Sequence, residues 1–192
     1  MNPRLLKQFI PEYVQLHKIQ LLLIGRYYSK NQFYQKKMQN LFKMQKEFLQ
    51  NIITQNQLTC SFAFNRISGE NAGFRLNKQT ASIGFIYRHV GETINLFATF
   101  LGYSTDVQNT TMGKTDIGQG KNIDESRQMI DKGYHLWQQI IETTPDEEWL
   151  GLIDTPFFGK VTRLRLFSHV LFHNSHHCGQ ISLTLSKGGN IS

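Results

Sequence analysis

The chain has 192 residues, a length that fits one domain with a sizeable hydrophobic core. Hydrophobic residues make up 40% of it and charged residues 18%, which argues against a disordered chain. The two cysteines, Cys60 and Cys178, give no sign of a disulfide framework and are typical of a reduced, cytoplasmic protein.

The net charge of +7 is concentrated at one end of the chain. Residues 1–37 carry seven basic side chains and one acidic side chain, whereas the other 155 residues carry 14 basic and 13 acidic ones. The body of the chain therefore lacks the excess positive charge with which nucleic-acid-binding proteins contact phosphates. We expect no nucleic-acid partner.

Residues 1–37 are interpreted as an N-terminal basic extension or as the product of a mis-assigned start, with translation beginning at Met38 or Met44. The longest apolar run there, Leu21 to Gly25, is far shorter than the ~20 residues that cross a bilayer. The segment also lacks the small-residue cleavage site of a signal peptide. We therefore expect no membrane partner and place the folded domain at residues 38–192.

The first half of that domain predicts two helices, because apolar residues recur at three- and four-residue steps. The first helix begins at Met38, and its pattern breaks over residues 58–80, which contain glycine turn signals. The second helix runs from a cap at Thr80 or Ser82 to a stop at Gly102.

The second half predicts two more helices. One opens at Asn122, where Glu125 three places later completes a capping-box pattern. The last begins after Thr162 and stops at Gly188-Gly189, and a short strand is predicted around Trp149–Ile153 in the loop before it. The expected fold is all-α, an up-and-down four-helix bundle.

Four of the seven histidines lie between positions 169 and 177. Residues four apart on a helix share a face, which suits two imidazoles that bind one ion at ~2.0–2.1 Å. The spacing offers two such pairs, His169 with His173 and His173 with His177. At ~100° per residue, His173 and His177 lie on the apolar stripe of the last helix, whereas His169 and His176 lie towards its edge. We therefore interpret His173 and His177 as metal ligands.

A third ligand is expected from another helix, and His89 is the best candidate because it shares a face of the second helix with Phe85. Glu92 follows one turn later and is interpreted as a base or as a group that orients a ligand. His17 lies in the extension, and His135 lies off the main apolar stripe of the third helix. Packing histidines in a purely structural bundle are the alternative.

Other chemistry fits the last helix less well. The zincin motif needs a glutamate directly after the first histidine, and Asn174 stands there instead. Cys178 points about 100° away from His177, so it is interpreted as a buried filler. Gly179 predicts the close approach of another helix, and Gln180 is either a hydrogen-bond partner of His177 or a solvated side chain.

Two motifs together resemble the DinB/YfiT-like metalloprotein superfamily. The run from His173 to Ile181, His-Asn-Ser-His-His-Cys-Gly-Gln-Ile, is similar to that family's last-helix signature. The stretch from Ser82 to Glu92 is similar to its second helix, and the resemblance covers residues 38–187. It implies a four-helix bundle, a homodimer and one divalent ion bound by three histidines. Carried onto this sequence, those ligands are His89, His173 and His177.

The resemblance also bears on function, since characterised relatives include thiol-dependent S-transferases and isomerases. Three neutral imidazoles leave a coordination position open, which favours chemistry over a structural role. We expect one divalent ion (Zn, Ni or Fe) and a metal-dependent enzyme of S-transferase or hydrolase type that activates a thiol or water. The expected partner is a small-molecule substrate, such as a low-molecular-weight thiol. A non-catalytic metal-binding or sensing bundle is the alternative.

Overall fold

The structure, a computed structural model, describes the backbone of residues 3–191, and among the first 44 side chains it describes those of residues 23, 26, 29–38 and 43. The chain divides into two compact units, Met1–Gln45 and Lys46–Ser192. The side chain of His17 lies outside the described part. The interpretation of residues 1–37 stays a prediction.

Four α-helices dominate the described residues, and a two-stranded sheet lies between the third and the fourth. The helices are α1 (Pro3–Phe64), α2 (Ile83–Thr99), α3 (Ile123–Thr143) and α4 (Arg163–Lys187). Short 3₁₀ turns lie at Gln119–Lys121 and Asp146–Leu150. The antiparallel strands are β1 (Leu152–Thr155) and β2 (Gly159–Thr162). The all-α helical bundle predicted from the sequence is therefore confirmed. None of the described helices has both the length and the apolar composition needed to cross a membrane.

Helix α1 differs from its prediction at both ends. It extends back to Pro3, through residues whose long side chains favour helix without forming a clear apolar stripe. At the other end it continues to Phe64, so the predicted break from residue 58 was wrong. The inward positions of this part of α1 are occupied by Asn56, Cys60 and Ala63, which are all buried. Because these residues are polar or small, the sequence shows no regular spacing of large apolar residues here.

The other helix starts were predicted correctly. The side-chain oxygens of Ser82, Asn122 and Thr162 each accept a hydrogen bond from the backbone N–H three residues later. The capping box at Asn122 is only half formed, because the Glu125 carboxylate pairs with Arg88 at 3.1 Å instead. This ion pair links the start of α3 to α2.

The strand before α4 exists, but its predicted bounds were wrong. Trp149 lies in a 3₁₀ turn, where its ring packs edge-on against Phe167 of α4 with centroids 5.8 Å apart. Strand β1 begins only at Leu152 and pairs with β2 across a tight turn. Gly159 supplies the positive φ of 62° that this turn requires.

Helices α2 and α3 approach closely because glycine occupies their contact. A Cβ on Gly133 would lie 2.3 Å from Cγ2 of Ile94, and the Trp137 indole N–H donates to the Ile94 carbonyl at 2.9 Å. We predict that Gly133→Ala lowers the free energy of unfolding by ~1–3 kcal/mol, because the added methyl overpacks the contact. Urea unfolding at pH 7 measures it.

Gly179 is the matched control for that substitution. The sequence predicted a close approach of another helix here, and this was wrong, since among the described residues no neighbouring side chain or helix lies within 4 Å of a methyl group added to Gly179. Gly179→Ala is therefore expected to stabilise the protein by up to ~1 kcal/mol through helix propensity. Equal losses of stability at Gly133 and Gly179 would contradict a tight contact of α2 with α3 at Gly133.

Candidate metal centre

Three histidines from two helices meet in the bundle. Helix α2 carries His89, and α4 carries His173 and His177 one turn apart. One nitrogen from each ring lies within 4.8 Å of the other two, and the ring centroids are 4.4–5.1 Å apart. The structure thus brings together the three residues chosen from the sequence. They form a cluster that can hold a metal ion.

Hydrogen bonds fix which nitrogen of His89 carries its proton. Thr111 donates its hydroxyl hydrogen to Oε2 of Glu92 at 2.6 Å, so that hydroxyl can only accept from Nδ1 of His89, 3.0 Å away. The proton of His89 therefore lies on Nδ1, and its Nε2 presents a lone pair to the cluster. Such outer hydrogen bonds are the usual means of orienting a metal-binding imidazole.

His177 is oriented in the same way by its own helix. Its Nδ1 lies 2.7 Å from Oε1 of Gln180, a carbonyl oxygen that can only accept. The Nδ1 atom is therefore the donor and Nε2 carries the lone pair. The sequence left Gln180 as either a hydrogen-bond partner of His177 or a solvated side chain. The structure confirms the first interpretation.

His173 tests whether the cluster suits a cation. Its Nε2 lies 3.2 Å from Nε2 of His89, and its buried Nδ1 has no hydrogen-bond partner among the described residues. Consider two nitrogens bound to the same ion at ~2.1 Å. If the nitrogen–metal–nitrogen angle lies between the octahedral and the tetrahedral value, the nitrogens are about 3.0–3.4 Å apart. The observed separation falls in that range, so these two nitrogens can bind the same divalent ion, and His177 lies close enough to be the third ligand.

Burial keeps the cluster neutral. It lowers the pKa of His173 to about 3 and that of His177 to about 4, and the neighbouring imidazoles add to the effect. Burial also lowers the pKa of His89, against a smaller opposing effect of Glu92. All three rings are therefore neutral at pH 7, with one nitrogen free of a proton, which is the form that binds metal.

These shifts predict acid sensitivity of the metal-free protein. The folded pKa values lie below the unfolded value of 6.5, so the stabilisation is present above pH 6.5 and is lost as the pH falls towards 4. We expect the free energy of unfolding to fall by on the order of 2–5 kcal/mol between pH 7 and pH 4.5. Urea titrations of chelator-treated protein measure this loss. His173→Gln should flatten the profile, while the exposed His135→Gln should not.

Glu92 is buried directly behind His89. Only 1% of the residue is exposed. Its carboxylate accepts hydrogen bonds from the backbone N–H and the hydroxyl of both Thr110 and Thr111. It also accepts a hydrogen bond from Nε of Arg88. Burial alone would raise the pKa of Glu92, but these hydrogen bonds outweigh it and lower the pKa. Glu92 reaches the cluster only through Thr111, and its assignment as a base or as an orienting group stays a prediction.

The other histidines whose side chains the structure describes lie outside the cluster. The ring of His169 packs against Phe158 and Phe97, with centroids 4.6 and 5.3 Å away, and His176 is exposed beside His177. His135 is exposed on α3. His169 therefore packs among aromatic rings and is not part of the cluster formed by His89, His173 and His177.

A buried polar network joins three helices next to His173 in sequence. The Tyr134 hydroxyl donates to Asn56 at 2.8 Å and accepts from Asn174 at 3.3 Å, which joins α1, α3 and α4 immediately beside His173. Asn56 also donates to Ser175 of α4 at 2.9 Å. Sequence reasoning missed this network, since its only sequence signal is polar residues at inward helical positions.

A cavity of about 400 Å³ opens beside His89 and His177. Its volume lies within the ~300–1,000 Å³ typical of small-molecule sites. Thr111 and Gln180, the hydrogen-bond partners of the two histidines, also line it. A small molecule in this cavity would contact the histidine cluster directly.

Fold and cluster together define a helical bundle with three converging histidines. The chain belongs to the DinB superfamily, whose family model matches residues 53–181, a range that includes all three. A conserved protein from Enterococcus faecalis is similar in fold, with a TM-score of 0.55 at 12% identity over 72% of this chain and 93% of that chain. No curated protein matches the chain significantly.

Proposed function

We propose that this DinB-superfamily protein binds one divalent metal ion on His89, His173 and His177. The observation that carries the proposal is the convergence of three neutral imidazoles, two of them oriented by hydrogen bonds that leave Nε2 free. The proposed ion is Zn, Ni or Fe, since imidazole suits all three.

We further propose that the protein is an enzyme that activates a thiol or water, of the S-transferase or hydrolase type. A divalent ion bound by three imidazoles supplies Lewis-acid chemistry, which lowers the pKa of a water or thiol that reaches it. The cavity beside His89 and His177 supports this proposal because it gives a small molecule access to the cluster. The substrate is proposed to be a small molecule, for example a low-molecular-weight thiol.

The chain's own residues position and shield the cluster. Thr111 and Gln180 hold the rings of His89 and His177 in the orientation that presents Nε2. We propose that Glu92 orients His89 through Thr111 and does not act as a base, since protein donors already engage both of its oxygens. A thiol has a pKa of about 8.5 when free, and a divalent ion would lower it further, so a thiol substrate would need no separate base.

The experiment is uptake of an external thiol by the Co²⁺-loaded protein, read as sulfur-to-cobalt charge-transfer absorption. The proposal expects a saturable band in the wild type and none in His177→Ala. Tight Co²⁺ binding without any response to thiols, and without turnover of thioester or activated ester substrates, would favour the non-catalytic metal-binding or sensing bundle instead.

Thr111 offers a more selective test of the proposed site. We predict that Thr111→Val lowers Zn²⁺ affinity about 10–100-fold, because His89 loses the acceptor that orients it. Thr110→Val is the matched control, since its hydroxyl also bonds Glu92 but does not contact His89. Competition with a chromophoric chelator measures both. Equal losses in the two variants would mean that Thr111 acts only through the stability of the loop.

We also propose a cytoplasmic homodimer without nucleic-acid or membrane partners. The nearly balanced charge of residues 38–192 supports the absence of nucleic acid. The large apolar side chains Phe62 of α1 and Phe172 of α4, which are 71% and 75% exposed, support self-association. Sedimentation velocity at micromolar concentration tests it, and a monomer would contradict it.

A further inference from the structure

The cavity beside the histidine cluster has walls without formal charge. Among the described residues that line it there is no aspartate, glutamate, lysine or arginine, and four of them are apolar. The apolar wall consists of Leu76, Ala81, Phe85 and Ile86. An ionised group held against this apolar wall would lose part of its hydration and gain no charged protein side chain as a partner, which is unfavourable.

The polar side chains of the same wall are already hydrogen-bonded within the protein. Thr80 accepts from the backbone N–H of Leu76 at 3.1 Å, and Thr184 donates to the carbonyl of residue 180 at 2.8 Å. Thr111 and Gln180 are engaged with His89 and His177. The cavity therefore presents mainly apolar surface to a ligand.

Two other cavities of similar size differ in this respect. One is lined by both Arg75 and Asp116, and the other by Arg88, Glu125 and Lys132. Neither includes a histidine of the cluster. Charged walls are thus present elsewhere on the protein, and the wall next to the cluster is distinct.

We propose that this cavity selects substrates whose body, the part away from the reacting atom, is uncharged and apolar, such as an alkyl or small aromatic group, and excludes substrates whose body carries a carboxylate or an ammonium group. This inference deepens the proposed function and rests on it. Leu76 and Ala81, which are contributed by the loop before α2, are the specificity-determining residues.

The experiment compares three thiols of similar length on the Co²⁺-loaded full-length protein: neutral pentane-1-thiol, anionic 5-mercaptopentanoate and cationic 4-aminobutane-1-thiol. Their charged groups are too far from the sulfur to form a small chelate ring with the same ion. Dissociation constants come from the charge-transfer band and are expressed per thiolate. We expect the neutral thiol to bind at least about tenfold more tightly than either charged one. Each methylene removed from the neutral thiol should weaken binding roughly fourfold.

Charge introduced into the wall should change the order of affinities. In Leu76→Lys the anionic thiol is expected to bind more tightly than in the wild type and the neutral thiol less tightly. Leu152→Lys, on the exposed surface of β1, is the control and should leave all three constants unchanged. Ala81→Lys provides a second position if Leu76→Lys does not fold. Equal constants for the three thiols in the wild type would overturn the inference while leaving the proposed function intact.

A second readout does not depend on the metal. In saturation-transfer NMR of the chelator-treated protein, 3-methylbutan-1-ol is expected to receive magnetisation and the similarly shaped 3-methylbutanoate is not. The signal should disappear in Leu76→Lys and persist in Leu152→Lys. Failure to bind Co²⁺, or the absence of both thiol binding and ester turnover, would refute the proposed function. Equal transfer to the alcohol and the carboxylate would refute the cavity's selectivity.

Discussion

Replacing Glu92 by alanine is expected to lower the free energy of unfolding by about 3–5 kcal/mol, because the substitution removes one partner of a buried ion pair. Arg88 would keep only Glu125 as an acidic partner, although its side chain is just 12% exposed. The backbone N–H groups of Thr110 and Thr111 would lose their acceptor in a buried environment. The loop that orients His89 would therefore lose its main attachment to α2.

Two further variants separate the charge of Glu92 from its shape. Glu92→Gln keeps an acceptor oxygen but not the charge, so we expect an intermediate loss of ~1–3 kcal/mol. Glu142→Ala removes a carboxylate that is 65% exposed and pairs only with Lys46, and it should change stability by less than ~0.5 kcal/mol. Urea unfolding at pH 7 measures all three. A Glu92→Ala protein as stable as Glu142→Ala would show that the buried hydrogen bonds contribute little.

Replacing His177 by alanine is expected to lower Zn²⁺ affinity more than 100-fold, since loss of a ligand should exceed the 10–100-fold effect of losing an outer hydrogen bond. Competition with a chromophoric chelator at pH 7 measures the affinity. His176→Ala is the matched control because His176 is adjacent in sequence, exposed, and outside the cluster. Equal affinity in His176→Ala and His177→Ala would remove His177 from the proposed site.

The helical periodicity was sufficient to predict the facing of the histidines. Leu166, Val170 and Ile181 are all buried, as their common stripe with His173 and His177 predicted. The caps at Ser82, Asn122 and Thr162 were likewise evident, because a cap is a local interaction between residues three apart. Local spacing thus predicted both the fold and the three converging residues.

Contacts made by the loop after α2 were not predictable in this way. Thr110 and Thr111 lie 18 and 19 residues from Glu92, in a polar segment that shows no local pattern of a buried contact. Helix α1 was misjudged for a related reason, since its inward positions near Cys60 are small or polar and break the apolar pattern. In both cases tertiary packing, rather than local preference, determines the structure.

Metal content per chain tests most directly whether the three histidines form a metal centre. Elemental mass spectrometry would be applied to the untagged wild type and to a variant in which His89, His173 and His177 are all replaced by alanine, each as purified and after incubation with Zn²⁺ and dialysis. About one ion per wild-type chain and none in the variant is the expected result. A folded wild type that stays free of metal after incubation, or a variant that retains an equal amount, would contradict the proposed metal centre.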